Sequence, residues 1–210
     1  MKDNLSDVEQ RVRRYWYADG FGELVGGGGM CLILALYFAA QEYFGDDTLI
    51  GGLLQASLVL VLLGGFYLVR RLINAAKLRV TYPRTGYVEY QASGQNRWMA
   101  GILSAVVAMA LAATFVFIVR RVNTIDAMTA ISGAVMGIIL FVKQVWSTKV
   151  KRFYFLSLAA LVYGALLAVS GFLPGYNLGL FYGLMSLTFV ISGGLTLRKY
   201  LSENPLPAEA

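Results

Sequence analysis

Two polar side chains raise a chemical question by their position alone. Glu23 opens a long apolar run and Gln55 lies inside another, and a charged or strongly polar group at such depth is expensive unless it is used. Glu23, beside Gly22 and Gly26, is placed to pair with an arginine of the preceding segment or of a later loop; the alternative is that it marks the membrane interface. Gln55 is the deepest strongly polar side chain in its run and would lie near the path of any small solute. No Asp or Glu falls at the middle of a run, which argues against ion-coupled transport. The chain has no His, so imidazole acid–base chemistry, imidazole metal ligation and a histidine triad are excluded. Its single Cys, Cys31, lies in an apolar stretch and reads as a small buried hydrophobe. Gly26-Gly27-Gly28-Gly29 does not follow a strand, so the nucleotide-binding reading fails on context. The expectation is a protein that is not an enzyme, with no catalytic residue, no cofactor and no metal ion.

The elements that must carry these residues follow from composition. The 210 residues are 58% hydrophobic and 14% charged, against roughly a quarter charged in soluble domains. Six apolar runs approach the ~20 residues that a bilayer demands: about Leu24–Phe44, Leu49–Leu72, Met99–Val119, Ala127–Val145, Phe153–Phe172 and Asn177–Leu197. None alternates with period two as barrel strands do, so helices are predicted. The fold class expected is an all-α membrane protein, a six-transmembrane-helix bundle. An N-terminal amphipathic helix (residues 1–20) precedes the single membrane domain (residues 21–201), and residues 202–210 form a disordered tail.

The net charge of +6 points to a membrane surface and not to nucleic acid. With the N-terminus inside, only Arg120 and Arg121 of the 18 Lys and Arg fall outside, while Glu42, Asp46, Asp47 and Asp126 mark the outer turns. Both termini are then cytoplasmic, and Arg120 and Arg121 are read as snorkelling to outer phosphates.

Two extramembrane segments stand out. In the first, Ser6 and Glu9 fit a capping box, and Arg13, Arg14 and Trp16 would meet lipid at headgroup depth. In the loop of residues 71–98, Lys77–Tyr82 and Tyr87–Gln91 are rich in β-branched and aromatic residues about Pro83-Arg84-Thr85-Gly86, which predicts a short cytosolic β-hairpin between helices 2 and 3. Tyr82, Pro83, Arg84, Thr85, Gly86 and Tyr87 are therefore the expected contact site, since an isolated hairpin needs something to lean on. Small residues four apart (Gly22/Gly26, Gly52/Ala56, Gly101/Ala105, Gly133/Gly137, Gly179/Gly183) predict close helix packing or a homo-oligomer. Hydroxyls of Ser157, Tyr163, Ser186, Thr188 and Ser192 are expected to bond backbone or neighbouring helices.

The runs Arg13-Arg14-Tyr15-Trp16-Tyr17-Ala18-Asp19-Gly20 and Thr81-Tyr82-Pro83-Arg84-Thr85-Gly86-Tyr87-Val88 resemble a family of uncharacterised multi-spanning prokaryotic membrane proteins. The resemblance covers about the first ninety residues and implies a location in the prokaryotic cytoplasmic membrane without implying an activity. Two functions fit. One is a non-enzymatic scaffold or regulatory component that meets lipid, a second copy or another membrane protein through its cytosolic face. The other is a small transporter or channel for an apolar or weakly polar solute.

Overall fold

The computed structural model describes residues 19–45, 48–85, 124–143, 150–170 and 176–205, and every element among them is helical. A π-helical segment, Gly22–Gly28, runs into α1 (Gly29–Phe44). Then come α2 (Leu49–Val80), the short α3 (Tyr82–Thr85), α4 (Thr124–Lys143), α5 (Arg152–Ser170) and α6 (Asn177–Glu203).

Four stretches are long and apolar enough to cross a membrane: Gly22–Phe44, Leu49–Arg84, Arg152–Val169 and Asn177–Glu203. The fourth expected span falls on α4, whose apolar stretch Met128–Val142 is shorter. The third, Met99–Val119, lies outside the described residues, as do the N-terminal amphipathic helix through residue 18 and the Arg120-Arg121 pair.

Two expectations are corrected. Lys77–Val80 continues α2, and Tyr82–Thr85 forms α3, so the first strand of the expected hairpin is absent; Tyr87–Gln91 lies outside the described residues. β-Propensity yields here to tertiary contact. Val69 meets Gly29 and Ile73 meets Gly26, and Lys77 pairs with Asp19; this four-residue repeat holds only in a helix. Residues 202 and 203, assigned to a disordered tail, are the last turn of α6, whose end Asn204 caps by donating its backbone N–H to the Tyr200 carbonyl.

Antiparallel packing follows from paired contacts. α1 runs against α2 (Gly29 to Val69, with the Tyr37 hydroxyl donating to the Leu54 carbonyl at 2.8 Å). It runs against α6 from Gly27–Phe189 to Ala35–Gly179. α4 runs against α5, where a Cβ on Gly133 would meet the Ala160 carbonyl oxygen and Gly164 Cα at 2.7 Å. The expected small-residue contacts at Gly133, Gly137 and Gly179 are thus real interfaces, each with backbone or side-chain atoms within 3.3 Å of an added Cβ. Gly52 faces open space, and Gly101/Ala105 lies outside the described residues. Phe153, Leu156, Ala160, Phe181, Met185 and Phe189 form the centre of the core.

The four consecutive glycines divide their contacts between two neighbours. Gly26 and Gly29 lie against Ile73 and Val69 of α2; Gly27 and Gly28 lie against Phe189 and Val190 of α6. A Cβ on Gly27 or Gly28 would stand 2.6 or 2.8 Å from the α6 side chains, whereas one on Gly29 would make ordinary contact with Val69 at 3.6 Å. The Ser186 hydroxyl donates to the Gly28 carbonyl at 2.8 Å, fixing a segment whose helical turn departs from the α pattern.

At the far turn, Gly45 adopts φ 71°, a conformation open to glycine. Thr48 caps α2 by accepting from the Gly51 N–H at 3.0 Å.

Candidate functional site

Among the described residues the buried charged side chains, Asp19, Glu23 and Lys77, gather where the chain enters its first span. Asp19 is buried, and its carboxylate satisfies three donors. One oxygen accepts from the Phe21 N–H at 3.1 Å, which turns the chain toward the π segment. The other accepts from the Thr81 hydroxyl at 3.2 Å and pairs with Lys77 Nζ at 3.1 Å. Lys77 belongs to the last turn of α2, where a cation also offsets the negative end of the helix dipole. Removing Asp19 from water is costly, and a full set of donors offsets that cost.

One turn further, Glu23 receives the Arg152 guanidinium on one oxygen and the Ser192 hydroxyl, at 2.8 Å, on the other. Arg152 also donates to Thr196 Oγ1 at 3.1 Å, and Thr196 returns its own proton to the Ser192 carbonyl at 2.8 Å. The carboxyl side chain is 2% exposed and the guanidinium 23%. Arg152 begins α5, the positive end of that helix dipole, so the Glu23 carboxylate compensates both the cation and the helix end. The network joins three elements that are far apart in sequence.

Between these two clusters sits Gly20, with φ 74°. Its carbonyl accepts from the N–H groups of Glu23 and Leu24 at 3.2 and 3.0 Å, and a Cβ there would stand 2.5 Å from the Gly193 carbonyl oxygen. Positive φ and close approach both require glycine at this position.

Glu23 and Gln55 are not brought together. Gln55 lies on an exposed face of α2, next to Leu54 at the other end of the bundle from Glu23. The arginine that meets Glu23 is Arg152, the first residue of α5. Arg84 is half-buried and donates to the Asn204 carbonyl at 2.8 Å, tying α3 to the end of α6. Tyr82 is half-buried and Pro83 exposed beside it, and Thr85 ends α3; Gly86, Tyr87, Arg13, Arg14 and Trp16 lie outside the described residues. The residues missed from sequence are Asp19, Lys77, Thr81, Arg152 and Thr196; Ser192 was expected to bond a neighbouring helix, and its partner there is Glu23. A signal existed on two helices: Lys77/Thr81 and Ser192/Thr196 are each four apart, one helical turn, so each pair presents two polar groups to one side.

The hydroxyls along α5 and α6 are spent inside the bundle. Ser157 donates to the Gly137 carbonyl at 2.7 Å, Thr188 to the Leu184 carbonyl at 2.8 Å, and Tyr163 meets Thr188 at 3.3 Å.

Charge divides sharply between the two ends. Given the antiparallel packing, Arg70, Arg71, Lys77, Arg79, Arg84, Lys143, Lys151, Arg152, Arg198 and Lys199 all belong to the half that holds Asp19. Among the described residues the opposite end has Glu42 and Asp126 and no Lys or Arg. Comparison with protein-family models, curated proteins and solved structures finds no match to this chain.

Proposed function

We propose that the chain is a six-span integral protein of a prokaryotic cytoplasmic membrane, with its basic end and both termini in the cytoplasm. In this reading it acts as a non-enzymatic scaffold or regulatory component that engages another membrane protein, or a second copy, through the cytoplasmic face. The orientation rests on the positive-inside rule applied to the division of charge between the ends. The sixfold count adds the apolar stretch Met99–Val119 and α4 to the four long helices, an even number that returns the chain to the side on which it began.

The observation that carries the scaffold reading is the commitment of Glu23. Its carboxylate is occupied by Arg152 and Ser192, contacts that join the π segment, α5 and α6. Asp19 likewise joins the chain entry to α2. Charge in this protein is used to hold a cytoplasmic platform in shape. The exposed Pro83 of α3, held in place by the Arg84–Asn204 bond, lies on that platform.

The test is site-specific crosslinking. A photoreactive residue replacing Pro83 in native membranes should give a discrete protein adduct, which charge introduced at Tyr82 reduces severalfold. Adducts to lipid alone, with the chain migrating as a monomer after mild extraction, would contradict a scaffold role.

A further inference from the structure

We infer that the outward face of α2 seats an anionic phospholipid, its headgroup held by Arg70, Arg71 and Asn74 and its acyl chains lying along Leu60, Leu63 and Tyr67. The inference extends the membrane reading above by assigning a partner to a face that the scaffold proposal leaves unused.

At 1.5 Å per residue, the 32 residues of α2 extend about 48 Å, against roughly 30 Å of hydrocarbon. Entering at Leu49, the helix has used ~20 residues by Leu68, so Arg70 and Arg71 emerge at phosphate depth.

Direction is fixed by the contacts on the other side. Gly65 meets Met30, Val69 meets Gly29 and Lys77 meets Asp19, so that face is turned into the bundle. Tyr67, Arg70, Arg71 and Asn74 are spaced i, i+3, i+4 and i+7, one stripe on the opposite side, and all four are exposed. Toward the bilayer centre the stripe continues through Leu63 and Leu60, 65% and 70% exposed. A single helix face thus passes from aliphatic to aromatic to cationic, the order of groups that a phospholipid presents from its tails to its phosphate.

Charge complementarity selects an anionic lipid. The buried acids at this end, Asp19 and Glu23, are paired with Lys77 and Arg152 and turn no charge toward the stripe. A zwitterionic headgroup brings its own ammonium to the two guanidinium groups, whereas phosphatidylglycerol brings none. Adjacent arginines also offer planar donor pairs suited to a phosphate.

The experiment uses the full chain in zwitterionic detergent, with lipid retention read by native mass spectrometry and the unfolding midpoint read in parallel. Phosphatidylglycerol, phosphatidylcholine and inorganic phosphate are added separately. The natural chain should retain phosphatidylglycerol over phosphatidylcholine by about tenfold or more, on the scale of about fivefold for each cation near an anionic surface, and gain several degrees in midpoint. R70Q/R71Q should lose most of that preference. R79Q/R198Q, which removes two exposed cations from the same end, should keep it. An unchanged preference in R70Q/R71Q overturns the inference, as does equal loss in the two double variants or equal stabilisation by inorganic phosphate. A chain that does not insert into membranes at all sinks the parent reading; an inserted chain whose R70Q/R71Q variant still prefers phosphatidylglycerol sinks only the lipid assignment.

Discussion

Glu23 and Arg152 are 129 positions apart in sequence and share an ion pair whose carboxylate is almost wholly buried. The pair closes the basic end of the bundle, because Glu23 belongs to the π segment while Arg152 opens α5 and bonds Thr196 of α6. Nothing in either residue's local sequence names its partner.

Glu23→Gln leaves the guanidinium without its counter-charge, and breaking one side of a buried pair costs about 3 kcal/mol. Unfolding of the purified variant in detergent should therefore begin at clearly lower temperature or denaturant concentration. Adding Arg152→Met should recover part of the loss, with a coupling of about 1–3 kcal/mol in a double-mutant cycle. Lys199 and Glu203 form an exposed pair at 3.7 Å within one turn of α6. Neutralising that pair should change stability by about 0.5 kcal/mol or less. Equal effects at the two pairs would show that burial has no bearing on them.

Gly133→Ala drives a methyl to 2.7 Å from the Ala160 carbonyl oxygen and Gly164 Cα, both backbone atoms that cannot rotate aside. It should destabilise by about 1–3 kcal/mol through separation of α4 from α5. Gly52→Ala and Gly64→Ala meet nothing within 4 Å and should leave the midpoint unchanged or slightly raised, since alanine is the better helix former. Comparable losses at all three glycines would refute the packing described here.

Arg84→Gln removes the bond that joins α3 to the carbonyl of Asn204. Loss of a charge-assisted hydrogen bond is worth about 1.5–3 kcal/mol where buried, and less at this half-buried site. The sharper readout is local: limited proteolysis near Thr85 and Asn204 should accelerate severalfold while the unfolding midpoint moves little. No change in cleavage at either site would mean that the contact does not restrain these segments.

Much of this architecture was legible in the sequence because the bilayer demands long apolar runs, and the boundaries at Phe44, Leu49 and Asn177 were read almost to the residue. The end of α2 was not legible. Lys77–Tyr82 has the composition of a strand, and what makes it helical is Asp19, some sixty residues earlier, waiting for Lys77 and Thr81 at helical spacing. Glu23 was visible as a residue that needed a partner, yet Arg152 could not be chosen among the basic residues without knowing which helices touch. The sequence excluded a nucleotide-binding role for the four glycines without supplying another; the structure places them at the end of a π segment wedged between α2 and α6, a role that depends on two neighbours remote in sequence. Spacing reports on one element at a time, and these features belong to pairs of elements.

The proposed orientation puts the basic end in the cytoplasm. Single cysteines at Glu42, exposed at the opposite end, and at Lys151, exposed at the basic end, can be probed in intact cells with a membrane-impermeant maleimide, Cys31 being buried. Glu42→Cys should label in intact cells, and Lys151→Cys only after the membrane is permeabilised. Labelling of Lys151→Cys in intact cells, with Glu42→Cys protected, would contradict the orientation and the cytoplasmic platform built on it.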